Sequence, residues 1–292
     1  MNLWILRFFK ILPILTFIFI LLVLYILLII DDTASYWFMI FILAEIYVNW
    51  IAVYLATTAQ NNVYHEFNTD TRVVINLNLT PSLDNSSSQR SHKQQNYNTS
   101  NVDTRKIWYC PKCLTYSPLC HHCPLCNKCV IFRDHHCFFL GTCICKQNMS
   151  NFIVFCLYIS VASLYADFCL FSYLCKQFSI EEENVSFWYL LVQCFFPIAL
   201  SRWLLGESNL VVLSLVSLFD ILVSTGILTF SFGLYSLFFA SPGKSKTVSA
   251  SRHNSNFSNI FGKWGLLNFL FPVTLGKKIL RQRDLQTDYK CY

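Results

Sequence analysis

Four long runs of the chain carry almost no charge. Ile11 to Ile30 is twenty residues without a charged side chain, and Tyr36 to Ala56 is twenty-one interrupted only by Glu45. Phe152 to Leu174, with Asp167, and Leu210 to Phe239, with Asp220, are the third and fourth. A helix crosses the hydrocarbon core with about 20 residues, and only helices or closed barrels satisfy their backbone groups there. Each run therefore reads as a transmembrane helix, and the fold class is an all-α integral membrane protein. Composition agrees: 54% of the residues are apolar and only 13% charged, against about 25% charged in a soluble domain. No small-residue cleavage site follows the first run and a second run comes almost at once, so the first is expected to stay as an anchor.

A fifth stretch, residues 187–205, is apolar but broken by Gln193, Pro197 and Arg202. Orientation follows from Lys and Arg alone. Arg7 and Lys10 precede the first run, nine Lys/Arg lie between residues 57 and 151, and nine follow residue 241. The turn after the first run has Asp31 and Asp32, and the turn after the third has Glu181, Glu182 and Glu183 beside a lone Lys176. Four crossings with both termini cytosolic satisfy this pattern, which makes 187–205 a luminal, re-entrant or interfacial element. Asp167 and Asp220 either mark a polar pathway at depth or pack as paired or protonated carboxyls.

The expected organisation is helices one and two over 1–56, a linker over 57–104, a cysteine-rich domain over 105–151, helices three and four over 152–240, and a basic cytosolic tail over 241–292. The linker is rich in Asn, Ser, Thr and Gln and cannot bury a core, so it is expected to be disordered. Asn78, Asn85, Asn98, Asn148, Asn184 and Asn256 each open an Asn-x-Ser/Thr triplet, and in this topology only Asn184 faces the lumen.

Between Cys110 and Cys145 the chain holds nine of its fourteen cysteines and four of its seven histidines. Cys110-x2-Cys113 and Cys123-x2-Cys126-x2-Cys129 have the two-residue gaps that bring two sulfurs to one tetrahedral zinc. A disulfide framework is the competitor, and a cytosolic placement argues against it because thiols stay reduced there. Zinc also explains how so short a segment folds, since a structural zinc contributes on the order of 10–16 kcal/mol. The ligand candidates exceed eight, so two zinc ions leave thiols to spare.

His122 and the run Asp134-His135-His136-Cys137-x5-Cys143, followed by Asn148, complete a pattern that resembles the cysteine-rich domain of the DHHC protein S-acyltransferases (palmitoyltransferases). The resemblance implies four transmembrane helices with this domain between the second and third. It implies one zinc on Cys110, Cys113, His122 and Cys129, and a second on Cys123, Cys126, His136 and Cys143. It makes Cys137 the nucleophile, His135 its base and Asp134 the group that orients His135. It further implies long-chain acyl-CoA (palmitoyl-CoA) as co-substrate, membrane-proximal protein cysteines as acceptors, no nucleic-acid partner, and residence in the endoplasmic reticulum or Golgi.

The chemistry suits these residues. A thiol ionises near pH 8.5 and is activated by an adjacent His, while a carboxylate fixes the His tautomer. Each buried methylene is worth roughly 0.8 kcal/mol, so the nucleophile must come to the bilayer, where a cavity between helices can hold the acyl chain. Lys128, Arg133 and Lys146 either meet the CoA phosphates or are ordinary juxtamembrane charge. Departures from the family pattern are Phe138-Phe139-Leu140-Gly141-Thr142 in place of Pro-Trp-Val-Asn-Asn, Cys145 in place of Gly, no Asp-Pro-Gly after the second helix, and Lys246-Thr247-Val248-Ser249 where Thr-Thr-x-Glu is expected. Asn256 corresponds to an Asn of the family's C-terminal element, and Cys291 is a candidate for acylation of the tail. The alternative reading is a catalytically weak or inactive zinc-stabilised scaffold.

Overall fold

The computed structural model describes residues 3–30, 36–78, 108–110, 112–113, 115–117, 120–131, 133–181, 186–238 and 260–261. Among the described residues four helices are long and apolar enough to cross a membrane: α1 (Leu3–Ile30), α2 (Tyr36–Asn78), α3 (Met149–Glu181) and α6 (Leu210–Phe238). Their apolar stretches are Lys10–Ile30, Tyr36–Thr57, Met149–Phe178 and Leu210–Phe238.

α2 corrects one boundary. It continues to Asn78, so residues 57–78, expected as linker, are helical. The chain has no Gly or Pro between Tyr36 and Pro81, and adding residues to a formed helix is far easier than nucleating one. The remainder of the expected linker, Asn256, Cys291 and the Lys246–Ser249 segment lie outside the described residues.

α3 and α6 form the central pair and run antiparallel. Phe152 meets Phe232, Cys156 faces Gly233, Ser163 faces Gly226, and Phe171 meets Phe219. The two glycines, two turns apart, allow the close approach: a Cβ on either would sit 3.3 Å from the Cβ of Ser163 or Cys156. Because the pair is aligned along its length, the end of α3 and the start of α6 lie on one side. Between them, α4 (Phe187–Gln193) and α5 (Phe196–Leu204) are bent by 74° from each other. At 7 and 9 residues, each is well short of the roughly 20 that a crossing needs. The break is anchored part-way along the central pair: Asp220 Oδ2 accepts a hydrogen bond of 2.8 Å from the Phe196 N–H, and the Phe187 ring lies against Phe171. Asp220 thus has a structural partner, while Asp167 is buried beside it with neither carboxylate oxygen hydrogen-bonded among the described residues.

The membrane part is entirely helical, and the cysteine-rich domain adds strands the all-α description omitted. Three antiparallel hairpins follow one another: β1 (Trp108–Cys110) with β2 (Thr115–Ser117), β3 (Cys120–Cys123) with β4 (Lys128–Ile131), and β5 (Arg133–Cys137) with β6 (Thr142–Cys145). None is long enough to be stable alone in water. Asn127, in the β3–β4 turn, and Gly141, in the β5–β6 turn, take the positive φ values, 51° and 67°, that these turns require.

Candidate active site and metal centres

Register across the hairpins gathers the metal donors. His122 pairs with Cys129 across β3–β4, and His136 pairs with Cys143 across β5–β6. Cys110 ends β1, Cys113 follows in its turn, Cys123 ends β3, and Cys126 lies in the turn after it. Two groups result, Cys110–Cys113–His122–Cys129 and Cys123–Cys126–His136–Cys143, with all donor atoms of each within 4.8 Å of one another. These are the two sets implied by the sequence pattern.

Their geometry fits a tetrahedral ion. Bonds of about 2.3 Å to sulfur and about 2.0 Å to nitrogen make the tetrahedron's edges roughly 3.5–3.8 Å. In the second group His136 Nδ1 is 3.5, 3.3 and 3.7 Å from the sulfurs of Cys123, Cys126 and Cys143, and Cys126 is 3.6 Å from Cys143. In the first, His122 Nδ1 is 3.6, 3.2 and 4.0 Å from Cys110, Cys113 and Cys129. Electrostatics point the same way. Hydrogen bonds from Cys126 and Cys143 hold the Cys123 thiol far below the ordinary range. Burial disfavours charge on His136, yet the hydrogen bonds and negative charge of Cys123 and Cys143 outweigh it and push His136 up to about 9. Thiolates crowded around one imidazole favour a cation among them.

β5 carries the remaining chemistry on its other face. Side chains alternate along a strand, so His136 points to the metal group while His135 and Cys137 share the opposite face. Cys137 is buried and belongs to the same apolar cluster as Ile46 of α2 and Phe152, Phe155 and Cys156 of α3. It belongs to neither metal group. Burial pushes its thiol up, and the N–H groups of Leu140 and Phe139 work in the other direction by bonding the sulfur. His135 Nδ1 lies 2.9 Å from Asp134 Oδ2, which leaves Nε2 as its free nitrogen. The His135 ring stands edge-on to Phe152, 5.3 Å between centroids, and to Phe232 of α6, 5.5 Å.

Asn148 fixes this hairpin to the membrane helices. It is fully buried; its Oδ1 accepts from the Cys145 N–H at 2.8 Å, and its Nδ2 donates to Cys143 O, Thr57 Oγ1 and Val53 O at 3.0, 2.8 and 3.3 Å. Thr57 in turn donates to Cys143 O at 3.1 Å. Asn148 is therefore a structural side chain, inaccessible to glycosylation, and Thr57 belongs to the site rather than to a linker. Opposite, the Gly141 turn rests on α1, where an added Cβ would lie 2.6 Å from Pro13 Cγ. Ile260 and Phe261, from the segment that follows Asn256, are buried in the cluster that holds Cys137.

An apolar cavity of about 140 Å³ opens between α1, α2, α3 and α6. Ile46, Ile20 and Ile159 line it and also pack in or against the cluster that holds Cys137, so the cavity borders that cluster. Lys128, Arg133 and Lys146 are half-buried. Cys145, the spare thiol of β6, is fully buried, which pushes it up to about 11.

The family model of the DHHC palmitoyltransferase matches residues 103–254, more than half of the chain. The chain belongs to the DHHC palmitoyltransferase family. Among curated relatives, the human palmitoyltransferase ZDHHC22 is 31% identical over 176 residues, covering 58% of this chain and 65% of that protein. The Danio rerio protein of that name is 29% identical over 179 residues, covering 58% of this chain and 63% of the relative. A probable protein S-acyltransferase 15 of Arabidopsis thaliana is 37% identical over 108 residues, 36% of this chain and 41% of the relative. The chain thus spans just under two thirds of the length of the ZDHHC22 proteins.

The sequence reading did not find Thr57, Phe232 or the Gly141–Pro13 contact. Each acts between segments far apart in the chain.

Proposed function

We propose that this protein is a protein S-acyltransferase that moves a long fatty acyl group from acyl-CoA to cysteines of membrane-proximal substrate proteins through an acyl-Cys137 intermediate. The observation that carries this reading is the division of β5: His136 on the metal face, Cys137 and His135 on the face toward the membrane helices, with Cys137 outside both donor sets. The scaffold reading gains no specific support, and the Asp134–His135 hydrogen bond on the strand that carries Cys137 favours the enzyme.

The chemistry proceeds in two balanced exchanges. His135, held by Asp134, takes the Cys137 proton at Nε2, and the thiolate attacks the acyl-CoA carbonyl. The C–S bond to CoA breaks and the leaving CoA thiolate takes the proton from His135. A substrate thiol then gives its proton to His135 and attacks the acyl-Cys137 carbonyl; the bond to Cys137 breaks, and its thiolate takes that proton back. The acyl chain lies in the cavity between α1, α2, α3 and α6, whose apolar lining suits it. Lys128, Arg133 and Lys146 are the candidate partners of the CoA phosphates.

Cys110, Cys113, His122 and Cys129 hold one zinc ion and Cys123, Cys126, His136 and Cys143 a second. Bound zinc supplies cross-links that fold the hairpins and leaves the acyl transfer to Cys137. The chain crosses the membrane four times, with 187–205 re-entrant; the antiparallel α3–α6 pair supports this, because the segment joining them must return to the side it left. Both termini and the cysteine-rich domain are cytosolic by the Lys/Arg distribution, and the compartment is the endoplasmic reticulum or Golgi.

The test is incubation of purified protein with an acyl-CoA probe beside Cys137→Ser. Hydroxylamine-labile label on the first and none on the second is expected. Equal label on both refutes the assignment.

A further inference from the structure

Three aromatic rings from three separate elements meet at the face of β5 that carries Cys137: His135 of β5, Phe152 of α3 and Phe232 of α6. Their centroids are 5.3 Å (His135–Phe152), 5.5 Å (His135–Phe232) and 5.7 Å (Phe152–Phe232) apart, and every pair stands edge to face, at 69°, 86° and 84°. Edge-to-face contact is the favoured arrangement of such rings and restrains their orientation. Phe152 is buried, whereas Phe232 is 42% exposed along α6. Phe232 reaches the imidazole because its neighbour Gly233 lets α6 approach α3 at Cys156.

We propose that Phe232, with Phe152, is a positioning residue that holds the His135 imidazole against the membrane helices in the orientation acyl transfer requires. Asp134 fixes Nδ1 by accepting a single hydrogen bond from it on an exposed carboxylate. One bond at one nitrogen leaves the ring free to pivot about it. Two ring contacts on the body of the imidazole remove that freedom and shield it from water on the membrane side. The base is then set by three elements at once: its own strand gives the Asp134 bond, α3 one wall and α6 the other. Displacement of α6 relative to β5 would misalign the base without disturbing either metal group, because α6 supplies no donor to them.

This inference rests on the acyltransferase reading, and the experiment separates the two. Single-turnover acylation from palmitoyl-CoA is measured for the wild type, Phe232→Ala, Phe232→Leu, Phe232→Tyr, His135→Ala and Phe232→Ala/His135→Ala, all in detergent or nanodiscs with zinc content determined. Phe232→Ala and Phe232→Leu should acylate about tenfold more slowly, while Phe232→Tyr keeps the wild-type rate and all variants keep the same zinc content as the wild type. In the His135→Ala background the Phe232→Ala change should cost nothing further, the non-additivity of two residues acting as a unit. Preference between myristoyl-, palmitoyl- and stearoyl-CoA should be unchanged. A full tenfold loss that persists without His135, or an altered chain-length preference, would make Phe232 a wall of the acyl cavity and overturn the proposal, as would wild-type rates in Phe232→Ala. Absence of label on the wild type itself would instead refute the acyltransferase reading.

Discussion

The cage of Cys110, Cys113, His122 and Cys129 and the cage of Cys123, Cys126, His136 and Cys143 share one donor set, yet only the second shares a strand with Cys137. They also differ in how they are held. β6, which supplies Cys143, is tied through Asn148 and Thr57 to α2 and α3. β3 supplies His122 to the first cage and Cys123 to the second, so the first braces the second from outside. On the proposed reading identical chemistry would serve two tasks: the outer cage would fold a segment too small to fold unaided, and the inner cage would also set where the Cys137 thiol sits.

Changes at the strand that both cages support should separate these tasks. The largest effect is expected from Cys137→Ser, which should reduce acyl-enzyme formation to background while the bound zinc stays as in the wild type; loss of zinc would make Cys137 a metal ligand instead. Next come His136→Ala and His122→Ala. Each should release one zinc, but the first should slow acylation about 100-fold and the second about 10-fold. Equal losses would break the distinction between the cages.

Asn148→Ala tests the tie to the helices. It removes the buried partner of the Cys145 N–H and leaves the Cys143 carbonyl with Thr57 alone, and a stability loss of about 2–4 kcal/mol is expected in denaturant or thermal unfolding. A loss within experimental error would mean that packing alone seats the hairpin. Gly141→Ala is the smallest change. Its positive φ should cost about 1–2 kcal/mol, and the clash with Pro13 adds to it. Pro13→Ala should recover only the clash, so the double variant should fall between the wild type and Gly141→Ala in the same unfolding measurement.

Much of this architecture was legible in the sequence because its causes are local. Uncharged runs of twenty or more residues dictate helices in a bilayer, and paired Cys-x2-Cys spacings place two sulfurs on one ion. The hairpins were hidden because strands of three to five residues carry too little periodicity to read, and Cys and His side chains rather than an apolar alternation line them. The end of α2 was misjudged for a related reason. Polar composition after Ala56 suggested disorder, yet no helix breaker occurs there, and Thr57 finds its partners 86 and 91 residues away. Phe232 could not be found at all from local pattern, since a phenylalanine in an apolar helix looks like every other lipid-facing residue until the strand it touches is known. Asn148 carried two conflicting meanings, an Asn-x-Ser triplet and a position in the family pattern. Its burial decides for the second.

Native mass spectrometry of the protein after reaction with palmitoyl-CoA, followed by peptide mapping, tests most directly whether one sulfur of the cluster is kept from metal and used for chemistry. The expected result is a single species with two zinc ions and one acyl group, the acyl group on Cys137. Acylation that expels a zinc ion, or an acyl group on a cysteine of either cage with Cys137 unmodified, would contradict the account.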